Sequence, residues 1–539
     1  MNSVSNATTA VLQQPRPRAG RVSAQATASF AILVLLGVFS KGVGFVREMV
    51  LAAQFGASGP MDAYLVAQTL PSAAQRVFDE LLGASLLPLF ASWCLAAGEA
   101  AAWSRLKRVV GTILVWSTLL VIAAILFSGP LVRVLAPGLG AQEKVIAARA
   151  LAILLPGVAC GVAGSIFAAL LNYHRRFLCA AGFAVAGNAL ALVSILLFAG
   201  RIGVYSAAAG MTAGAALLLL QWFFLPGGRG ALTEENPAAT RGEFFALAAP
   251  LAAGIALFNF IPLVERFLSS WLPAGGIALL NYAFKLDWLA YLVLVVPITT
   301  MIFPRLAAAG AAGDTQKFLG ALHLALKGAW LALLPAMLFL TLAAPAVIAL
   351  IYERGSFTTV HTAGTASILR IYVAGLPGAA ATLILFYALY ALRQPAGRVA
   401  AGIAGLLIAL AFGWPAVRAW GAAGIAATHA VNFTALSLLL GWYAARSLGR
   451  GWWRPLASFA ARSAAAAIAA LIVGRALLRW MDAAGFASFF RGSLELAAAL
   501  IAVALFLFFC VLLRVDEVRA LAAEIVRSLR DRPWLREGT

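Results

Sequence analysis

The sequence predicts an all-α polytopic membrane protein of about fourteen transmembrane helices, with two parallel six-helix repeats forming two lobes and two further helices at the C-terminus. Three observations predict it. The 539 residues are 63% hydrophobic and only 11% charged, with mean hydropathy +0.94. Such a chain must find a solvent other than water. Apolar stretches long enough to cross a hydrocarbon core, roughly 20 residues each, recur from residue 28 to residue 514 with short interruptions. Landmarks in the first half return in the second at a nearly constant offset.

The predicted spans are 28–54, 61–95, 107–128, 146–172, 178–200, 203–225, 243–272, 277–308, 318–351, 358–392, 398–418, 421–447, 456–482 and 490–514. Several exceed bilayer thickness and contain prolines such as Pro71, Pro88 and Pro297, which predict kinked helices. Residues 1–27, with Arg16, Arg18 and Arg21 among Ser, Gln and Pro, read as a disordered basic lead-in. The first lobe is 28–225, a linker follows at 226–242, the second lobe is 243–447, and 448–514 holds the last two helices. Residues 515–539 alternate Leu, Val and Ile with Arg, as an amphipathic tail does. Basic residues of the connections gather on one side, around Arg105, Lys107 and Arg108, Arg175 and Arg176, and Arg446, Arg450 and Arg454. An even number of spans puts both termini on that side, and the positive-inside rule makes it cytoplasmic.

The repeat rests on concordant offsets. Val46 falls on Val264 and Tyr64 on Tyr282 at 218 residues; the LPG at 155–157 falls on the LPG at 376–378 at 221; Trp222 falls on Trp442 at 220. Chance identities are frequent in so apolar a chain, so the agreement on one offset carries the inference. Parallel repeats of this kind occur in transporters that rock two bundles about a site at mid-membrane.

Charges inside the spans mark where that site lies, because an ionisable group at the bilayer centre costs about 2.5–3.5 kcal/mol on insertion scales. Span 1 carries Lys41, Arg47 and Glu48; span 2 carries Asp62, Arg76, Asp79 and Glu80; span 7 carries Glu265 and Arg266; span 8 carries Lys285 and Asp287. At 100° per residue, Asp62, Thr69, Arg76 and Glu80 share one stripe, and Lys41 and Glu48 share a face. Lys41, Arg47, Arg76, Arg266 and Lys285 read as cavity cations, a set that suits an anion, and a diphosphate is the anion Arg and Lys clamp best. Glu48, Asp79, Glu80 and Asp287 fit either a cavity or an ion pair at a helix end.

Other chemistry is excluded or unsupported. The net charge of +20 is dispersed among hydrophobic spans, so nucleic acid is not the partner. Cys94, Cys160, Cys179 and Cys510 form no CxxC pair and read as small apolar residues, and His174, His323, His361 and His429 have no metal spacing and read as packing or interfacial groups. There is no Walker A, GxSxG or dinucleotide-binding motif, so no enzymatic site, metal or cofactor is expected.

The run SKGVGFVREMVLAAQFGASGPMDAYLVAQTLPSAAQRVF at 40–78 resembles the first two helices of MurJ (MviN-type) lipid II flippases of the multidrug/oligosaccharidyl-lipid/polysaccharide exporter superfamily. LAPG at 135–138, ALLNYHRRF at 169–177, VERFLSSWLPAGGIALLNYAFKL at 264–286, IYERGSFT at 351–358 and FYALYALRQPAGRV at 386–399 extend the resemblance in order over about 28–450. It implies a multi-pass protein of the bacterial inner membrane. Its cationic cavity would hold the headgroup of a polyprenyl-diphosphate-linked glycan, and the last two helices would hold the lipid tail in a lateral groove. The alternatives are an exopolysaccharide or other lipid-linked oligosaccharide as cargo, or a cation-coupled drug antiporter.

Substrate-binding positions carried over are Lys41, Arg47, Asp62, Gln75 or Arg76, and Lys285, with Arg266 added from its place in span 7. Glu48, Glu80, Glu265 and Asp287 are candidate ion-coupling or charge-pairing groups. Three positions depart from the family pattern: lysines stand at 41 and 285 where arginine is usual, and Gln75 replaces one arginine of a pair. Members with a sodium site use a helix 7 carboxylate, for which Glu265 stands here, together with polar groups on helix 11. Span 11, AGIAGLLIALAFGWPAV, offers no carboxylate or amide. Coupling to the membrane potential or to a monovalent cation, and contacts with membrane lipids and with cell-wall or polysaccharide synthesis enzymes, complete the expectation.

Overall fold

A computed structural model describes residues 24–225, 255, 259–394, 396–449, 451–483 and 491–518, and all regular secondary structure among these residues is helical. The predicted linker 226–242, residues 243–254 and 256–258 of predicted span 7, residues 1–23 of the lead-in and the tail beyond 518 lie outside them, while residues 24–27, predicted as disordered, are helical. Ten of the described helices are long and apolar enough to cross a membrane. A helix pair bent by 41°, Thr359–Ala374 with Leu376–Ala391, makes an eleventh.

The first half consists of α1 (Ala24–Phe55), α2 (Gly59–Leu126), α3 (Ser128–Leu135), α4 (Ala141–Tyr173), α5 (Phe177–Ile202) and α6 (Tyr205–Leu217), which runs on as a tighter turn over Leu218–Phe224. Then come α7 over 259–269, α8 (Gly276–Leu294), α9 (Val296–Ala311), α10 (Thr315–Leu342), α11 (Ala344–Tyr352), α12 (Thr359–Ala374), α13 (Leu376–Ala391), α14 (Ala396–Trp420) and α15 (Ala422–Leu448). The chain closes with α16 (Arg454–Ala483) and α17 (Arg491–Leu512).

Spans 2 and 3, expected as separate helices joined by a loop over 96–106, form the single 68-residue run of α2. The connecting residues are Ala-rich helix formers, which keeps them helical. A straight helix of that length would extend about 100 Å, three times a hydrocarbon core. It is not straight: Gly98 sits at φ 82°, a conformation glycine adopts without a Cβ penalty. The Phe90 and Trp103 rings meet at 5.4 Å, although thirteen residues of straight helix would separate them by about 20 Å. The run therefore doubles back.

Proline sets the other breaks. Span 8 divides into α8 and α9 at Val295, two residues before Pro297, and span 10 divides at Gly375, two residues before Pro377, because Pro has no N–H to donate to the preceding turn and its ring clashes with the carbonyl four residues back. Pro71 and Pro88 stay inside α2. Span 9, predicted over 318–351, divides at Ala343 into α10 and α11, with Pro345 in the first turn of α11.

One core runs through both halves, with Tyr64, Phe90 and Trp93 from the first and Tyr282, Phe318 and Tyr352 from the second, all 2% exposed or less. A second core joins α16 and α17 to the side of α10 through Leu334, Phe459, Ala466, Phe506 and Cys510. The Trp330 indole N–H donates to Ser463 Oγ at 3.0 Å across that junction. The two LPG glycines do the same job in each half: a Cβ on Gly157 would lie 3.3 Å from Thr212 of α6, and one on Gly378 would lie 2.7 Å from Thr434 of α15. Small residues there let the helices approach closely.

Candidate functional site

The Asp62, Thr69 and Arg76 stripe of α2 is the line along which the first half meets the second. At its start the Asp62 carboxylate accepts from the backbone N–H of Gly275 at 2.6 Å and of Ala278 at 2.7 Å. These are unsatisfied donors at the N-terminus of α8, where a negative charge also meets the positive end of the helix dipole. Two turns on, Thr69 Oγ1 accepts from Arg266 Nε of α7 at 3.1 Å. Two turns further, Arg76 Nε donates to Asn259 Oδ1 of α7 at 3.2 Å. Glu80 is exposed and lies within electrostatic reach of Arg76.

A charged cluster lies beside this line. Glu48 of α1 is 4% exposed and takes Arg47 Nη2 at 3.1 Å and Lys285 Nζ of α8 at 3.3 Å, while Asn281 Nδ2 reaches its other oxygen at 3.4 Å. A buried carboxylate so paired avoids the cost of an isolated charge. One anion thus holds two cations from opposite halves, and the cluster keeps a surplus positive charge. Lys41, on the same face of α1 as Glu48, is exposed.

Exposure differs between positions along the seam. On α1, Ala52 is buried, Glu48 is buried and Lys41 is exposed; on α2, Asp62 and Thr69 are buried and Arg76 is exposed; on α8, Tyr282 is buried and Trp288 is exposed. The end at Gly56, Asp62 and Tyr282 is stitched by main chain, with Gln54, Gly355 and Ser356 at its exposed rim. Ser356 N donates to Ala53 O at 2.8 Å, Ser356 Oγ to Gln54 O at 3.1 Å and the Tyr282 hydroxyl to Gly56 O at 3.1 Å. Gly56 (φ 58°) and Gly355 (φ 59°) make this possible, because a Cβ on either would sit 2.4 or 2.3 Å from the carbonyl oxygen of Ser356 or Ala53. The seam is sealed at one end and open at the other.

Of the predicted site residues, Arg47, Glu48, Asp62, Arg76, Arg266 and Lys285 all lie on this seam. Gln75 and Arg76, alternatives in the sequence, point apart: Gln75 Nε2 donates to Asp79 Oδ1 at 2.8 Å and Ser165 Oγ at 3.1 Å inside the first half, while Arg76 crosses to the second. Glu265 faces His429 of α15, with Nδ1 to Oε1 at 2.9 Å, and Asp287 is 5% exposed. Sequence reasoning missed Asn259, Asn281 and His429. The last, read as a packing residue, packs edge-on to Phe284 and Tyr372 and also pairs with an acid; an ionisable ring in mid-span was the available signal.

An apolar cleft of about 500 Å³ lies apart from the seam, between α10, α13, α15 and the start of α16, and is lined by Trp330, Ile384, Leu438, Trp442, Trp453 and Phe459 among others.

A helical membrane protein whose two halves meet along a charged seam, sealed at one end, is a transporter by architecture. The fold agrees. A solved structure described as lipid II flippase MurJ, inward closed conformation, matches with TM-score 0.74 at 20% identity over 90% of this chain and all of that one. An inward-facing multidrug MATE transporter matches with TM-score 0.64 at 16% identity over 76% of this chain and 98% of that one. The sequence profile of the family described as lipid II flippase MurJ matches residues 51–495, and the chain belongs to that family. It is 27% identical over 354 residues to a probable lipid II flippase MurJ of Rhizobium meliloti, covering 63% of this chain and 65% of that relative. It is 22% identical over 378 residues to one of Buchnera aphidicola, covering 68% of this chain and 73% of that relative.

Proposed function

We propose that this protein carries a polyprenyl-diphosphate-linked glycan, lipid II for peptidoglycan synthesis, from the inner to the outer leaflet of the cytoplasmic membrane by alternating access. The carrying observation is the contrast along the seam, between a buried, main-chain-stitched end at Asp62 and Gly56 and exposed cations at Arg76 and Lys41. Such a seam admits a headgroup from one side only, as alternating access requires.

Arg47, Arg76, Arg266, Lys285 and Lys41 bind the diphosphate, the cation-rich set suiting an anion of that charge. Glu48 holds Arg47 and Lys285 together until the substrate competes for them. Asp62 acts at one remove, positioning α8 against α2. The apolar cleft beside α16 takes the polyprenyl chain, which keeps its hydrocarbon out of water while the headgroup crosses. With the doubled-back α2 counted as two crossings, and α1 and α7 added to the eleven, the chain has fourteen crossings in two six-helix lobes and a final pair, with both termini cytoplasmic. The matched contacts of Gly157 and Gly378 support that repeat.

The test is complementation in a host depleted of its own lipid II flippase. The chain restores growth and wall synthesis; R47A and R76A reach the membrane at normal levels and do not. Full rescue by both variants overturns the diphosphate clamp. Failure of the unaltered chain to rescue, with loss of an exopolysaccharide when its own gene is deleted, reassigns the cargo.

A further inference from the structure

At the hairpin end of α16 and α17, away from the termini, charged groups gather that the seam does not use. Their depth follows from α10. His323 Nε2 lies 2.7 Å from Trp452 O, beside the exposed Trp453, an aromatic position of the kind that marks a membrane interface. Leu342 comes nineteen residues after His323 on α10, about 28 Å of helix and close to one hydrocarbon thickness away. A Cβ on Gly474 of α16 would lie 2.6 Å from Leu342 Cδ1, so α16 reaches the second interface there, and Trp480 stands exposed beyond it. A cleft of about 290 Å³ opens at this level, lined by Leu342, by Arg370 of α12, by Asp482 of α16, and by Arg491 and Glu495 of α17.

The charges there do not balance. Glu495 is committed: its Oε2 accepts from the backbone N–H of Ala346, in the first turn of α11, at 3.0 Å, and its Oε1 lies 3.5 Å from Arg491 Nε. Arg491 Nη2 reaches Asp482 Oδ1 at 3.6 Å with the two side chains 65% and 61% exposed, a pairing that water largely screens. Arg370 donates Nε to Thr341 O at 3.0 Å. A carbonyl orients the guanidinium without neutralising it, and the two terminal amino groups are the edge that grips a phosphate end-on. Arg475 of α16 lies within electrostatic reach of Arg370, and an anion between the two relieves their repulsion. Among the described residues, three arginines thus share two carboxylates, and residues 484–490 add no charge. Arginine is drawn to the cytoplasmic side of a membrane. With the termini cytoplasmic, as proposed above, three arginines at the opposite end call for a ligand rather than for topology.

We propose that Arg370, Arg475 and Arg491 form a binding site for the phosphate of an anionic phospholipid, seated between the α16–α17 hairpin and the helices α11 and α12. The cleft is close to the lower size of ligand pockets, roughly 300 Å³, which suits a headgroup whose acyl chains stay in the bilayer. Leu478, Met481 and Leu494 beside the charges offer apolar surface to the glyceride end. A surplus of one positive charge selects a lipid with one negative charge, such as phosphatidylglycerol, over zwitterionic phosphatidylcholine, whose ammonium restores the surplus. The site requires only that the chain spans a bilayer and does not rest on the transport reading; its place in the outer leaflet follows from the cytoplasmic termini.

Native mass spectrometry of the full chain in detergent, titrated with each lipid, tests the site. The unaltered chain binds its first phosphatidylglycerol about tenfold more tightly than phosphatidylcholine. The double variant R370Q/R475Q loses about thirtyfold in affinity for phosphatidylglycerol and holds phosphatidylcholine as before. D482N separates a lipid site from a staple of ion pairs: it removes a competing carboxylate, keeps every arginine and tightens phosphatidylglycerol about threefold. If D482N fails to tighten it, the loss in the double variant is structural and the proposal falls. Equal affinity for the two lipids, or phosphatidylglycerol binding untouched in R370Q/R475Q, overturns it as well. Polyprenyl diphosphate shares the phosphate chemistry but carries more negative charge than this cluster balances, so at equal concentration it leaves phosphatidylglycerol in place. Displacement that disappears in R370Q/R475Q would give the arginines to the substrate's diphosphate and overturn the phospholipid.

Discussion

The two ends of the seam are built from different chemistry. At the sealed end, around residues 53–62, 275–278 and 353–358, the halves are joined by backbone donors and acceptors, by a buried carboxylate capping a helix and by glycines that let main chains touch. At the open end, Arg76 meets Asn259 through one side-chain hydrogen bond, and the cations are exposed. A main-chain seal is short and rigid, and once opened it leaves donors unsatisfied unless water replaces the partner. Long charged side chains can re-pair with a passing anion at little cost. On the proposed transport reading, gating belongs to the sealed end and substrate capture to the open one.

The largest break in that comparison comes from Gly355→Val. A Cβ there would sit 2.3 Å from Ala53 O, at a positive φ that a β-branched residue resists. Spin labels at Gln54 and Val360, both exposed, report the separation of the sealed end in a background lacking the four cysteines. The ratio of closed to separated populations should fall by about a hundredfold, near 3 kcal/mol. A distance distribution unchanged by the substitution would mean that the close backbone contact does not hold the seal.

Asp62→Asn should act more weakly at the same place. An amide oxygen can still accept one of the two N–H groups, while its NH₂ turns a donor toward the other and the helix terminus loses its counter-charge. The closed population should drop about thirtyfold, near 2 kcal/mol, by the same distance measurement. Asp62→Glu, which keeps the charge but lengthens the arm, should recover part of the loss; no difference between the two variants would separate the seal from the carboxylate's charge.

How much of this was legible in the sequence divides the same way. The stripe of Asp62, Thr69 and Arg76 follows from helical periodicity alone, and it is the line of contact. Intramembrane charge is costly enough that Arg47, Glu48 and Lys285 stand out by residue type and position within their spans. The main-chain seal was hidden, because every residue carries an N–H and a C=O and nothing in GASGP or ERGSF states which carbonyl lies opposite. His429 was hidden because imidazole can be neutral and one histidine has no spacing. The doubled-back α2 was missed for a plainer reason: the Ala-rich connection looks no different from the helices it joins, and the φ of Gly98 and the contact of Phe90 with Trp103 reveal the turn.

The finest test of the comparison is Ser356→Ala. Its hydroxyl donates to Gln54 O at 3.1 Å, but the residue is exposed and its backbone N–H to Ala53 O survives the change. Loss of one exposed, neutral hydrogen bond is worth about 0.7 kcal/mol, so the closed population should fall only about threefold. If S356A instead matched D62N, the seal would depend on that hydroxyl as strongly as on the buried carboxylate. The weight assigned to main chain over side chain at this end would then be wrong. A threefold effect, set beside a hundredfold one at the adjacent Gly355, would place the strength of the seal in the touching backbones, where a single polar side chain can tune the equilibrium between open and closed without setting it.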